Sequence, residues 1–274
     1  MSIKLTDLWR YPVKSCRGER LREAAVEPWG LAGDRRWMIV DADGVPVTAR
    51  EYPPLVLVTP TLTSDGIRLA SPGLPDLTVP VPAARLVPVN VWGSELDAAA
   101  AGNEAAEWLG KIVTEPVRLV YLDDPTRRPT DPDYSRAEDR VSFADNYPVL
   151  LTTTESLAAI NELIAAGPHA AEAPIPMMRV RPSVVVTGAP AAWAEDGGRR
   201  VRIGDVTFRV SRPDDRCVFT TIDPETAVKG REPLATLARH RRWDGKVWFG
   251  IYLIPDERRT GDVIRVGDPV EVLT

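Results

Sequence analysis

Apolar residues in this chain come in short runs separated by Gly, Pro, Asp and Asn, a pattern of many short strands rather than a few long helices. Trp37-Met38-Ile39-Val40 stops at Asp41-Ala42-Asp43-Gly44 and is followed by Val45-Pro46-Val47, which predicts a hairpin. Leu55-Val56-Leu57-Val58 and Ile67-Arg68-Leu69 flank Ser64-Asp65-Gly66 and predict a second pair of strands around a turn. From Asn103 the period changes. Asn103 reads as an N-cap, and Ala105, Trp108, Leu109 and Ile112 recur on one face of a helix. Val117 to Tyr121 returns to strand.

Farther along, Val149-Leu150-Leu151 predicts a strand, and Thr152-Thr153-Thr154-Glu155 reads as a capping box for a helix carrying Leu157, Ile160 and Ile164. Ser183 to Val186 predicts a buried strand. Gly204-Asp205 turns between Val201-Arg202-Ile203 and the alternating Val206-Thr207-Phe208-Arg209-Val210. A short helix fits Pro233 to His240, Trp248 to Ile254 reads as strand, and Gly267-Asp268 as a turn before Val270-Glu271-Val272. The expected fold class is therefore mixed α/β and β-dominated, with barrel-like units and peripheral helices. Asp123 to Ser135 holds three prolines, four aspartates and two arginines. That composition makes it the expected linker or mobile loop, dividing the chain into 1–122 and 123–274. Gly167 to Pro176, rich in Ala and Pro, reads as a second linker.

Composition supports this picture. A chain of 274 residues can bury a sizeable core, and 26 prolines against 19 glycines fit short elements joined by stiff turns. The net charge of −5 excludes the overall basic footprint of a nucleic-acid binder. No apolar run reaches membrane-spanning length, and the N-terminus lacks the apolar core of a signal peptide. A cytoplasmic protein without membrane contact is expected. With no heptad or long apolar surface stripe, a monomer is expected as well.

The chemistry centres on Cys217. Its only companion is Cys16, which excludes a disulfide framework or a multi-cysteine metal site. Sequence alone leaves a Cys16–Cys217 disulfide open. Arg212 and Arg216 lie close by in sequence, and a cationic neighbourhood favours the thiolate, the form that attacks or binds metal. A metal held there would have one sulfur ligand from the protein and the rest from a cofactor. Phosphate-loop, Rossmann and Gly-x-Ser-x-Gly signatures are absent. His169 and His240 read as solvated surface residues. Lys14-Ser15, Arg35-Arg36, Arg179 with Arg181, and Arg216 form separated basic loops. Together with one thiolate they point to a large anionic ligand carrying a phosphate.

These segments occur in an order that resembles one family. Tyr11-Pro12-Val13-Lys14-Ser15-Cys16 opens it, followed by Asp34-Arg35-Arg36-Trp37, Val47-Thr48-Ala49-Arg50 and Phe143-Ala144-Asp145. Leu151 to Leu157, Arg181-Pro182, Arg216-Cys217 with Thr220 to Thr226, Phe249-Gly250 and Val266 to Val270 complete it. The chain resembles MOSC-domain proteins with an N-terminal MOSC β-barrel domain, the group of the mitochondrial amidoxime-reducing component and YcbX. The resemblance implies a MOSC β-barrel domain over 123–274 and the molybdenum cofactor, molybdopterin-bound, with Cys217 as catalytic metal ligand. It assigns cofactor contacts to Lys14, Ser15, Arg35, Asp145, Asn146, Tyr147, Arg181, Arg216 and Tyr252. Lys14, Arg35 and Arg181 would offset the phosphate, and Ser15 and Asn146 would hydrogen-bond phosphate or pterin. Trp37, Trp248 and Phe249 are expected in the core.

The activity implied is reduction of small N-hydroxylated substrates, with electrons from an external electron-transfer protein of iron–sulfur or flavin type. The same thiol would also serve a sulfur carrier using a Cys217 persulfide, or a non-catalytic carrier of the molybdenum cofactor. Three departures stand out: Ala227 where relatives often have Gly, Ser183 where Asn is common, and the acidic pair Asp214-Asp215 before Arg216.

Overall fold

The computed structural model describes residues 2–83, 85–256 and 261–273. Its largest sheet runs Val270–Leu273, Arg200–Ile203, Val206–Asp215, Lys246–Pro255, Val149–Thr153, Val184–Thr187, Lys4–Arg10 and Glu19–Leu21, with Arg242–Trp243 added on Lys246–Pro255. Neighbours are antiparallel except Val149–Thr153 and Val184–Thr187, which run parallel. A parallel pair needs a crossover, and the helix α2, Thr154–Ala165, lies within it. The first strand enters this sheet by pairing Leu8 with Val184, so the chain's start is built into strands from its second half. The inward faces of these strands supply Leu5, Leu8, Val149, Val184, Phe208, Ile251 and Leu253 to one core.

A second core lies under a four-stranded sheet, Trp37–Val40, Arg118–Tyr121, Ser94–Ala100 and Leu86–Val91, and a three-stranded one, Thr59–Leu62, Gly66–Ser71 and Leu74–Pro80. The helix α1, Asn103–Val113, closes it with Ala105, Trp108 and Leu109, the face its periodicity predicts. Trp37, Trp248 and Phe249 are buried, as expected.

Several local expectations change. Leu55 to Val58 is not a strand, because Pro53-Pro54 starts a 3-10 turn, Pro53–Leu57, that buries Leu55 and Val56. The hairpin partner of Gly66–Ser71 is Thr59–Leu62 instead. Gly102, not Asn103, caps α1. At α2 the cap is Thr153, whose Oγ1 accepts the Ser156 N–H at 3.0 Å. Glu155 does not close a capping box, since its carboxylate accepts the Gly188 N–H at 2.8 Å. The stretch read as a linker or mobile loop is anchored. Asp124 and Asp131 each cap a 3-10 turn, and Arg128 is buried there, donating to the carbonyls of Ser142, Ala144 and Asp145.

Gly250, in the middle of Lys246–Pro255, shows how tightly the strands meet. Its φ is +79°, and a Cβ there would sit 2.9 Å from the Leu151 carbonyl oxygen. Gly250→Ala therefore combines left-handed strain with a clash against backbone, and a loss of about 2–3 kcal/mol is expected. Urea unfolding checks it, and an unchanged midpoint would contradict this account of the strand.

Candidate functional site

Loops at the junction of the two cores carry the candidate residues. Lys14 and Ser15 follow the first strand. Arg35 precedes Trp37–Val40, and Asp145, Asn146 and Tyr147 precede Val149–Thr153. Arg181 ends the 3-10 turn Met177–Val180, Arg216 and Cys217 follow Val206–Asp215, and Tyr252 lies within Lys246–Pro255. All ten line one cavity of about 250 Å³. Three of them are non-glycine residues in the left-handed region: Ser15 at φ 70°, Arg35 at 46° and Arg181 at 52°. Each such conformation costs roughly 1–2 kcal/mol, so the surrounding fold must hold these loops in place.

Positive charge dominates the lining. Lys14 is buried, donates to the Phe143 carbonyl at 2.8 Å and pairs with Asp145. Burial pulls its ammonium down to about 8, against the Asp145 carboxylate that favours the charged form. For Asp145, burial acts to raise the carboxyl, but Lys14 and Arg50 outweigh it and hold the group well below the usual carboxylate range. Arg50 Nη2 reaches its Oδ2 at 3.0 Å, and the Trp92 indole N–H donates to its Oδ1 at 3.2 Å.

Behind this pair lies Asp34, 1% exposed, which accepts the Tyr11 N–H at 2.7 Å and pairs with Arg35 at 2.5 Å. The Tyr11 ring carries two guanidinium groups, Arg35 at 4.2 Å and Arg181 at 4.1 Å from its centroid. Burial, then the Arg35 charge, pull Arg181 down to about 10, and its Nη1 donates to the Cys16 carbonyl at 2.6 Å. Burial pushes the Tyr252 phenol well above its ordinary value, reinforced by Asp145, so it stays a neutral hydroxyl.

Cys217 is half-buried and Cys16 fully buried, and both are free thiols, which settles the disulfide question. Burial pushes Cys16 up to about 12. The guanidinium that reaches Cys217 is not a sequence neighbour. Arg212 turns to Asp215 at 2.7 Å and Arg216 pairs with Asp214, whereas Arg50 Nε donates to the Cys217 sulfur at 3.3 Å.

Arg50 and Trp92 are two lining residues with side chains in the site's hydrogen-bond network that sequence reading gave no role. Arg50 stood in a quoted motif, and Trp92's one signal was its place before Gly93 in a tight turn. His169 and His240 do not line the cavity. Of the three departures, Ser183 and the acidic pair have partners in the structure, whereas nothing in it explains Ala227. Ala227 has a φ of 60°, where Gly would be unstrained. Ser183 is fully buried, with its hydroxyl 3.4 Å from both Arg35 Nη1 and Leu150 N. Asp214 and Asp215 are each paired with arginine.

The donor set fits an anionic, metal-bearing organic cofactor. Lys14, Arg35, Arg50, Arg181 and Arg216 face the cavity, and the buried Nε of Arg216 has no partner within the protein. Among the described residues no group of three or more His, Cys, Asp or Glu could hold a metal ion. A metal on Cys217 would complete its coordination from a ligand the protein does not supply.

Fold and site together define a β-dominated protein in which one half-buried thiol, Cys217, lines a cation-rich cavity. The chain belongs to the MOSC family: residues 2–116 match the MOSC N-terminal beta barrel domain and residues 138–271 the MOSC domain. It is 33% identical to mitochondrial amidoxime-reducing component 1 of Homo sapiens over 98% of this chain and 82% of that protein. It is 32% identical to mitochondrial amidoxime reducing component 2 of Bos taurus over 97% and 82%. Component 2 of Macaca fascicularis is 34% identical over 96% and 81%. Among the described residues no helix is long and apolar enough to cross a membrane.

Asp145→Asn removes the counter-ion of a buried ammonium. Asp145 itself is 41% exposed at its side chain, so solvent screens part of the pair and a loss of about 1–2 kcal/mol at neutral pH is expected. The sign with pH follows from the depressed carboxyl. The stabilisation is fully present above the unfolded-state value near 3.8 and is lost as pH falls through the lower folded-state value. Urea unfolding of both proteins should show a gap at neutral pH that closes on acidification. A gap that persists at low pH would contradict the assignment.

Proposed function

We propose that the protein is a molybdenum-cofactor-dependent reductase of N-hydroxylated compounds, supplied with electrons by an external iron–sulfur or flavin protein. The observation that carries this reading is the convergence of one accessible thiol and five cations on a single cavity. The family membership supports it, since the relatives named above are called amidoxime-reducing components.

Each side chain has a role the chemistry requires. Cys217 would hold the metal, and Arg50 steadies its sulfur by donating an N–H. Lys14, Arg35 and Arg181 would offset the cofactor phosphate, and Ser15, buried and held in a left-handed conformation, and Asn146 would hydrogen-bond phosphate or pterin. Asp145 keeps Lys14 charged and in place. Arg216 offers its unpartnered Nε. Tyr147 and Tyr252, both raised by burial, are neutral hydroxyls rather than phenolates, that of Tyr147 donating to the Asp131 carbonyl at 3.4 Å. The cofactor, when bound, supplies the two-electron redox chemistry that these side chains lack. Overall, an N–OH group, two protons and two electrons give N–H and water. Two free thiols fit a reducing compartment such as the cytoplasm.

Expression in a host that makes molybdenum cofactor, with metal analysis and a chemical electron donor, tests the reading. Near-stoichiometric molybdenum and reduction of benzamidoxime are expected, with turnover lost in Cys217→Ala. Full turnover by that variant, or a metal-free protein carrying labile sulfur on Cys217, would overturn it, the latter in favour of a sulfur carrier.

A further inference from the structure

Trp92 is in the wrong place for an ordinary tryptophan. It is the first of two residues joining Leu86–Val91 to Ser94–Ala100, where Val91 pairs with Ser94. Both central residues have positive φ, Trp92 at 55° and Gly93 at 92°. That is the pattern of a type I′ hairpin turn, whose first position favours Asn, Asp or Gly and penalises a bulky side chain. Burial does not repay the strain, because Trp92 is 48% exposed, more than any other tryptophan in the chain.

The indole is nevertheless held. Its N–H is fixed on Asp145, Lys14 Nζ lies 5.5 Å and Arg50 Cζ 4.9 Å from the ring centroid, and the ring lines the cavity. Through Asp145 and Arg50 it is linked by consecutive hydrogen bonds to the Cys217 sulfur. A strained, oriented and solvent-reached aromatic surface beside the reacting centre is the arrangement of a stacking platform.

We infer that Trp92 is a specificity-determining residue, against which flat, delocalised substrates stack so that their N–O group faces the Cys217 side of the cavity. This rests on the reductase reading. It selects N-hydroxy groups conjugated to an aromatic or amidine plane over small aliphatic hydroxylamines.

Two variants separate this role from a structural one. Trp92→Asn gives the turn a residue it favours, so its melting temperature should equal or exceed that of the parent. Trp92→Phe keeps the ring and removes only the N–H bond to Asp145. The readouts are molybdenum content, the ratio of kcat/KM for benzamidoxime to that for N-methylhydroxylamine, and the Kd of benzamidoxime by calorimetry on oxidised, metal-loaded protein. Trp92→Asn should lower the ratio and raise the Kd, each by roughly three- to tenfold, while Trp92→Phe stays close to the parent. An unchanged ratio and Kd in Trp92→Asn would overturn the inference. So would equal impairment of both variants, which would make the indole a support for Asp145, or loss of molybdenum or of stability in Trp92→Asn. If the parent reduces neither compound, the reductase reading fails by itself, and the dependence of Kd on Trp92 still decides whether the platform exists.

Discussion

Like charge concentrated in one cavity is the constraint on which the rest of this structure depends. Lys14, Arg35, Arg50, Arg181 and Arg216 line the same space, and Arg128 lies buried behind it. Left without partners, such groups would repel one another and lose hydration together. The fold answers with a small number of placed acceptors. Asp34 supports Arg35, and Asp145 ties Lys14 to Arg50. The Tyr11 ring serves two guanidinium groups, Asp214 pairs with Arg216, and backbone carbonyls accept from Arg181 and Arg216. Burial still wins in part, as the lowered Lys14, Arg128 and Arg181 show. The cavity is left with more cation than carboxylate, and an anion entering it recovers what the folded chain gives up.

That charge can be held only where the backbone is rigid, and here the two cores meet. Left-handed residues at Ser15, Arg35 and Arg181 would relax in a free loop. They are fixed because the first strand pairs with Val184–Thr187 and the Arg35 loop leads directly into the buried Trp37–Val40. Arg128 makes the connecting stretch part of the same frame, since its guanidinium binds the backbone on which Asp145 sits. Arg50 and Trp92 come from the N-terminal part and Asp145 and Cys217 from the C-terminal part, so the site is complete only when both parts are folded together.

Much of this was legible in the sequence, for reasons that are local. Gly204-Asp205, the α1 stripe and the buried strands followed from periodicity and turn chemistry. Lys14, Ser15, Arg35, Arg181, Arg216 and Cys217 followed from basic loops and a lone thiol, whereas Asp145, Asn146, Tyr147 and Tyr252 came from the family resemblance; all ten line one cavity. What escaped depends on distance in space. Leu55 to Val58 has the composition of a strand, but two preceding prolines impose a turn. Glu155 has the spacing of a capping box, but a closer donor at Gly188 takes its carboxylate. The pairing of Leu8 with Val184 leaves no local trace. Arg50 reaches Cys217 across 167 positions, so the hydrogen bond to the sulfur could not be read from its neighbours, of which Arg216 acts on it through charge alone. Trp92 belongs to none of the family motifs, and its backbone conformation is what sets it apart.

The central claim is that Cys217 supplies the single protein ligand to a molybdenum centre in this cavity. X-ray absorption at the molybdenum edge tests it most directly, on purified protein beside Cys217→Ala. The account predicts one more sulfur neighbour around the metal in the parent than in the variant. Identical sulfur coordination in the two, at equal molybdenum content, would contradict it.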